Sequence, residues 1–401
     1  MRKASLGTLF LTVLLDLLGF GLVIPFLPGV ARSLGAGDFV ATLPGAVYSL
    51  MQFLFVPIWG RLSDRVGRRP VLLVSIAASA IGMAGLGFAQ TLPTLFIARI
   101  FSGIATANIA VAQAYIADVT PPERRARGMG IIGMAFGLGF IIGPFVGGEL
   151  GQFQVLGRAG ALPSFVASGL SVINLLMAWV TLPESLPPES RGGKSSHRAK
   201  PLDLKQLRAT FAIPGLGAAL VISFLVVFWF AGMEQTFRLF TEDKFGMSDV
   251  QTGRLFGIVG IVAAIVQGGL IARLTRLFGE ARLVRGGIWV QAAAFTLLGS
   301  CPHMGILSLP ALYLSAALIA LGNGLVTPSL PSYVSRRTPP DAQGMTLGSL
   351  QSASALARVL GPACGGLSYA LWNPSAPYLL GAVGMVVAAA VAMRLQNNRP
   401  G

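Results

Sequence analysis

Long apolar stretches alternate with short polar ones along the whole chain. Twelve apolar runs stand at 6–30, 39–59, 70–90, 93–117, 128–148, 161–182, 210–237, 250–272, 286–304, 306–334, 344–370 and 375–393. A bilayer core about 30 Å thick takes about 20 residues of helix to cross, so each run is long enough to span. Only five charged residues fall inside them: Asp16, Arg99, Glu234, Arg254 and Arg358. With no water in the bilayer core, the backbone must satisfy its own hydrogen bonds, which runs of this length do as helices. The pattern predicts an all-α polytopic membrane protein with twelve transmembrane helices.

Lys and Arg set the orientation, because positive loops stay on the cytoplasmic side. With both termini cytoplasmic, 23 of them fall inside and four, Arg32, Arg158, Arg238 and Lys244, fall outside. The apolar run after Met1-Arg2-Lys3 is too long for a signal peptide and is broken by Asp16, Pro25 and Pro28, so it reads as an uncleaved first helix. One long polar segment, 183–209, separates an N-terminal six-helix half (1–182) from a C-terminal one (210–401). At an offset of 218 residues the halves repeat: Thr120-Pro121-Pro122 recurs as Thr338-Pro339-Pro340, Tyr115 as Tyr333, and Gly130 as Gly348. Gly143-Pro144 with Gly147-Gly148 recurs as Gly361-Pro362 with Gly365-Gly366, and a weaker echo at offset 212 aligns Gly67 with Gly279. Two pseudo-symmetric six-helix halves are the architecture of a rocking transporter.

Composition narrows the function. Hydrophobic residues make up 54% and charged residues 11%, against about a quarter charged in soluble chains, which excludes a water-soluble enzyme and a disordered tail. The net charge of +15 is spread in short groups between apolar runs, unlike the clustered basic face that nucleic acid needs. Cys301 and Cys364 both lie in apolar runs and read as small buried hydrophobes. Gly193-Lys194-Ser195 has Pro188 where a phosphate loop needs Gly, and neither HExxH nor GxSxG occurs. No cofactor or metal is expected, the partners being a small-molecule substrate, protons and membrane lipid, and the default state a monomer.

The loop after the second run reads Gly60-Arg61-Leu62-Ser63-Asp64-Arg65-Val66-Gly67-Arg68-Arg69-Pro70. This spacing resembles the cytoplasmic signature GxLxDRxGRR of the major facilitator superfamily. The fifth run, with Gly130, Gly139, Gly143-Pro144 and Gly147-Gly148, resembles that family's antiporter-associated helix. Leu15-Asp16 through Pro25-Phe26-Leu27-Pro28, Arg99 with Gly103, and Glu234-Gln235-Thr236-Phe237 are similar to the twelve-span drug/proton antiporters that include tetracycline exporters. The resemblance implies that Gly60, Asp64, Arg65, Gly67, Arg68 and Arg69 form a latch, with Asp64 facing the start of the eleventh helix near Gly344 and the arginines pairing with Asp118. It also implies proton-coupled efflux across a bacterial-type cytoplasmic membrane. Known tetracycline exporters carry further acids in the third and ninth helices. Here neither 70–90 nor 286–304 holds one, which argues against tetracycline as substrate.

Charge inside a membrane is expensive and marks function. Asp16 is the first candidate for proton coupling, since an acid that meets water from alternating sides can load and release a proton. Glu234, near Phe228, Trp229 and Phe237, suits a lipophilic cation through charge and cation–π attraction, although such aromatics also suit a lipid-facing helix. Arg99 either tunes a carboxylate, contacts substrate or forms a structural ion pair. Asn108, Gln113, Asn323, Gln351 and Arg358 are the remaining candidates for the substrate cavity. The expected activity is alternating-access antiport of lipophilic or amphipathic molecules, with uptake of sugars or organic anions as the alternative.

Overall fold

The computed structural model describes residues 6–106, 108–120, 125–157, 160–187, 189, 191, 216–338 and 343–395, with the backbone alone at 125–133, 136, 140 and 343–345. Twelve helical rods are found among them. In the first half α1 is Leu6–Ser33, passing through a 3-10 turn at Ile24–Phe26, and α2 is Asp38–Val66. α3 is Arg68–Phe88, α4 Leu92–Val119, α5 Arg125–Gly151 and α6 Ala161–Thr181. In the second half α7 is Leu216–Phe245, α8 Asp249–Phe278 with a π-helical stretch at Ile265–Leu270, and α9 Glu280–Ser300. α10 is Ser308–Arg337, α11 Gln343–Leu371 and α12 Ala376–Ala392. Each predicted run falls on its own rod as far as it is described: 210–215 lie outside the described residues, and Cys301–His303 form a 3-10 turn after α9. Eight rods are long and apolar enough to cross a membrane by composition, while α9 and α11 are diluted by charged and small residues.

The rods outrun the apolar runs at the arginine-rich ends, and this moves one predicted turn. Gly60 was expected to open a loop. Instead α2 continues helically through Gly60 to Val66, and the chain turns at Gly67, whose φ of +117° suits only glycine. Gly279, its counterpart at offset 212, makes the same turn between α8 and α9 at φ +75°.

Two compact units emerge: 1–35 with 47–201, and 36–46 with 202–401. The predicted linker is described only at 183–187, 189 and 191. Within the first unit α1 packs on α5 and α6, and α3 on α4 and α6; within the second, α7 packs on α11 and α12, and α9 on α10 and α12. The pairing thus recurs six helices on. The second unit also takes in the start of α2, where the Thr42 hydroxyl donates to the Pro362 carbonyl at 3.1 Å and fills the notch left by Gly366. Large apolar side chains such as Ile81, Trp179 and Val383 are more than three-fifths exposed, as a lipid-facing surface requires.

Candidate functional site

Asp16 sits on α1 in the first unit, where its Oδ1 accepts a hydrogen bond from Asn108 Nδ2 at 2.7 Å. Asn108 is placed by a break in α4, whose first segment ends at Ala105, with Thr106 extended. Such a break strands carbonyls that need donors. Trp59 Nε1 serves Ile104, the Ser75 hydroxyl serves Ala105, and the Thr106 hydroxyl turns back to Ser102. Asn108 also donates to the Ser79 hydroxyl at 3.4 Å. The carboxylate borders a cavity lined by Phe20, Tyr48, Ser79, Met83, Ser102, Thr106 and Ser171.

Arg99, on the first segment of α4, is fully buried. Its guanidinium lies 4.7 Å from the centroid of the Tyr48 ring, and none of its three nitrogens has a hydrogen-bond partner among the described residues. Among the described residues Arg99 forms no structural ion pair. Tyr48 therefore carries the cation on its ring while bordering the cavity of Asp16. The Ser102 hydroxyl, one turn along from Arg99, is likewise buried without a partner and faces that cavity. Gln113 is exposed on the second segment of α4.

The arginine-rich end of this unit holds a second polar cluster. Arg68 Nη1 pairs with Asp64 Oδ1 at 2.6 Å, Arg68 Nε pairs with Asp118 Oδ2 at 3.1 Å, and the Ser63 hydroxyl accepts from Arg68 at 2.6 Å. Arg65 is exposed. Glu184 accepts the backbone N–H groups of Arg68 at 2.8 Å and Arg69 at 3.2 Å, a carboxylate on the positive end of α3. The sequence gives no local sign of this role, since Glu184 stands 116 residues from Arg68. Arg69 reaches the Trp179 carbonyl at 2.7 Å, and the Tyr115 hydroxyl donates to the Pro183 carbonyl at 2.6 Å.

The glycines of α5 lie against α1. A Cβ at Gly139 would come 2.8 Å from Leu17 Cβ, one at Gly143 2.7 Å from Gly21 Cα, and one at Gly147 would strike the Leu22 carbonyl. Pro144 stands inside the helix, and Gly130 and Gly148 lie on the same rod. In the second unit the repeated glycines do the same to α7: a Cβ at Gly361 would strike the Phe228 carbonyl, and one at Gly365 would come 2.9 Å from Gly232 Cα.

The candidates of the second unit are more scattered. Glu234 is half-buried on α7, and the charge acting on it is Arg358 of α11. Phe228 stacks on Phe224 at 5.6 Å and meets Trp229 edge-on at 5.0 Å. Phe237 is buried against Phe256 at 5.3 Å, so it packs the core instead of lining a cavity. Asn323 Oδ1 accepts from the Thr327 hydroxyl at 3.1 Å, and Gln351 is exposed. Cys301 is buried as expected, whereas Cys364 is exposed on α11. Among the described residues no group of three or more His, Cys, Asp or Glu side chains is placed to hold a metal ion.

Comparison with known proteins matches this architecture. The sequence profile of the Major Facilitator Superfamily matches residues 9–280 and 268–401. The chain is 34% identical over 360 residues to the class C tetracycline resistance protein of Escherichia coli, covering 88% of this chain and 86% of that one. It is 30% identical over 406 residues to the human major facilitator superfamily domain-containing protein 10, covering 90% and 86%. The crystal structure of the human organic anion transporter MFSD10 (TETRAN) superposes with a TM-score of 0.73 at 28% identity, covering 96% of this chain and 98% of that one. The resemblance to the tetracycline-exporter group is thus borne out by relatives spanning most of the chain. Twelve rods paired alike in two halves, the GxLxDRxGRR turn and these full-length relatives make this chain a member of the major facilitator superfamily, a membrane transporter and not an enzyme.

Proposed function

We propose that the protein exports lipophilic or amphipathic small molecules in exchange for protons, by alternating access, across a bacterial-type cytoplasmic membrane with both termini cytoplasmic, and that it acts as a monomer. The observation that carries this reading is Asp16, an acid inside a membrane helix, held by a hydrogen bond from Asn108 at the edge of a cavity. A ligand drives a conformational change only through differential affinity for the two states. An acid bordering a cavity meets that condition for protons if its access switches sides. The cluster of Asp64, Arg68 and Asp118 is suited to a latch because a few paired charges on one face can be made or broken as a unit. Glu234, Asn108, Phe228, Trp229 and Arg358 are the residues we assign to substrate contact. Tetracycline is not the expected substrate, since α3 and α9 lack acids between 70 and 90 and between 286 and 304.

A second reading is favoured by Arg99. A buried guanidinium without a hydrogen-bond partner among the described residues suits an anionic group on the substrate, and a full-length relative is described as an organic anion transporter. Under this reading the cargo is an organic anion, taken up or exported.

The test is proton-gradient-driven movement of a fluorescent lipophilic cation in inside-out vesicles, comparing wild type with Asp16→Asn at equal expression. Export coupled through Asp16 requires that wild type move the dye and the variant not. Equal movement by both would remove Asp16 from coupling and pass the role to Glu234. If neither moves it, a radiolabelled arylcarboxylate replaces the dye, and its uptake would establish the second reading.

A further inference from the structure

The arginine-rich ends of α8 and α10 enclose a groove of about 430 Å³ that belongs to neither the Asp16 cavity nor the Arg68 cluster. α8 lines it with Thr275 and Arg276, and α10 with Ser329, Ser332 and Arg336. At its inner wall Ser329 is 2% exposed, and its hydroxyl has no hydrogen-bond partner among the described residues. A buried polar atom left unpaired is rare in a folded chain and calls for an explanation such as an absent ligand.

The charge of the groove is positive. Glu280 is the acid that meets it, and its carboxylate is already engaged, pairing with Arg336 Nε at 2.9 Å and accepting from the Ser332 hydroxyl at 3.2 Å. Arg276 Nε makes a long bond of 3.4 Å to the Ala272 carbonyl of its own helix, and the side chain is exposed. Arg273, three residues earlier, is exposed as well. Beside these cations Leu277 and Phe278 are 64% and 50% exposed, and Ile265 and Leu270 continue the apolar surface up α8. The stretch Ile265–Leu270 is π-helical, a departure from α geometry that recurs at functional sites.

We propose that this groove binds the phosphate of an anionic phospholipid, with Arg276 and Arg336 on the phosphate oxygens, the Ser329 hydroxyl donating to the same group, and the acyl chains along the exposed apolar side of α8. A lipid is preferred over a free phosphate because the cations stand next to exposed leucine and phenylalanine, the juxtaposition found where a helix leaves the hydrocarbon and meets headgroups. A soluble phosphate has no use for that apolar flank.

The experiment uses the full chain in mild detergent with equimolar phosphatidylglycerol and phosphatidylethanolamine, bound lipid being counted by native mass spectrometry. Wild type is expected to retain phosphatidylglycerol roughly tenfold over phosphatidylethanolamine, as one or two arginines at a headgroup provide. Arg276→Gln combined with Ser329→Val should bring the ratio near one, and Arg276→Lys should keep most of the preference. Millimolar inorganic phosphate should leave the bound lipid in place. Equal retention of both lipids by wild type, an unchanged ratio in the double variant, or displacement of the lipid by inorganic phosphate would each overturn the assignment. The wild-type ratio is read without any substitution, so a variant that fails to fold leaves the proposal testable.

Discussion

Arg99 is the residue whose energetics run most plainly against stability. A charge taken out of water without a partner costs several kcal/mol, and the face of Tyr48 returns only about 0.5–2 kcal/mol as a cation–π contact. Arg99→Leu is therefore expected to stabilise the folded protein by about 1–3 kcal/mol while lowering transport more than tenfold. Thermal unfolding in detergent and vesicle flux measure the two effects, and a loss of stability would show that the guanidinium has a structural partner after all. Asp16, Asn108 and Arg99 were legible in the sequence because ionisable and amide side chains stand out in an apolar run. Tyr48, Ser79, Ser102, Thr106 and Ser171 were not, since a hydroxyl barely alters hydropathy and mid-helix serines and threonines commonly bond their own backbone. Phe237 misled for a related reason: an aromatic in an apolar helix gives no sign of which face it occupies, and here that face meets Phe256.

Helix ends show where pattern reading stops. The hydrophobic runs located all twelve rods, yet α2 and α8 continue past the ends of those runs, as helix carrying arginines, until a glycine at positive φ ends them. Gly60 and Gly67 belong to one motif and are expected to respond oppositely. At Gly60 a Cβ meets nothing within 4 Å, so Gly60→Ala should stabilise the helix by about 0.5–1 kcal/mol. At Gly67 the backbone is closed to L-residues and a Cβ would strike the Glu184 carboxylate, so Gly67→Ala should cost about 1–3 kcal/mol. Chemical or thermal melts of the two variants in one detergent decide it, and equal effects would place the turn elsewhere. Glu184 itself was hidden because a capping acid far along the chain, 116 residues from Arg68, leaves no local spacing to read.

At the scale of the molecule the repeat was visible as nine identities. The structure adds that helix pairing repeats even where sequence does not, with α1 on α5 answered by α7 on α11 and α3 on α6 by α9 on α12. Composition could not reveal that residues 36–46 complete the second unit. Thr42 fills the notch at Gly366 and Gly45 receives the Gln235 side chain. A fragment of 202–401 lacks both. Expressed alone it is expected to be degraded several-fold faster than when co-expressed with 1–201, as pulse-chase labelling would show; equal half-lives would mean that the early segment adds nothing to the second unit's fold.

The glycine seam between α1 and α5, and its counterpart between α7 and α11, hands the experimenter a matched pair. Gly143→Ala and Gly361→Ala insert the same methyl group at equivalent places in the two halves, each against backbone. Overpacking should cost both about 1–3 kcal/mol, which makes each variant the other's control for damage to packing. Any remaining difference in transport, at equal loss of stability, reports which half carries the chemistry, a comparison that a chain without an internal duplicate does not offer.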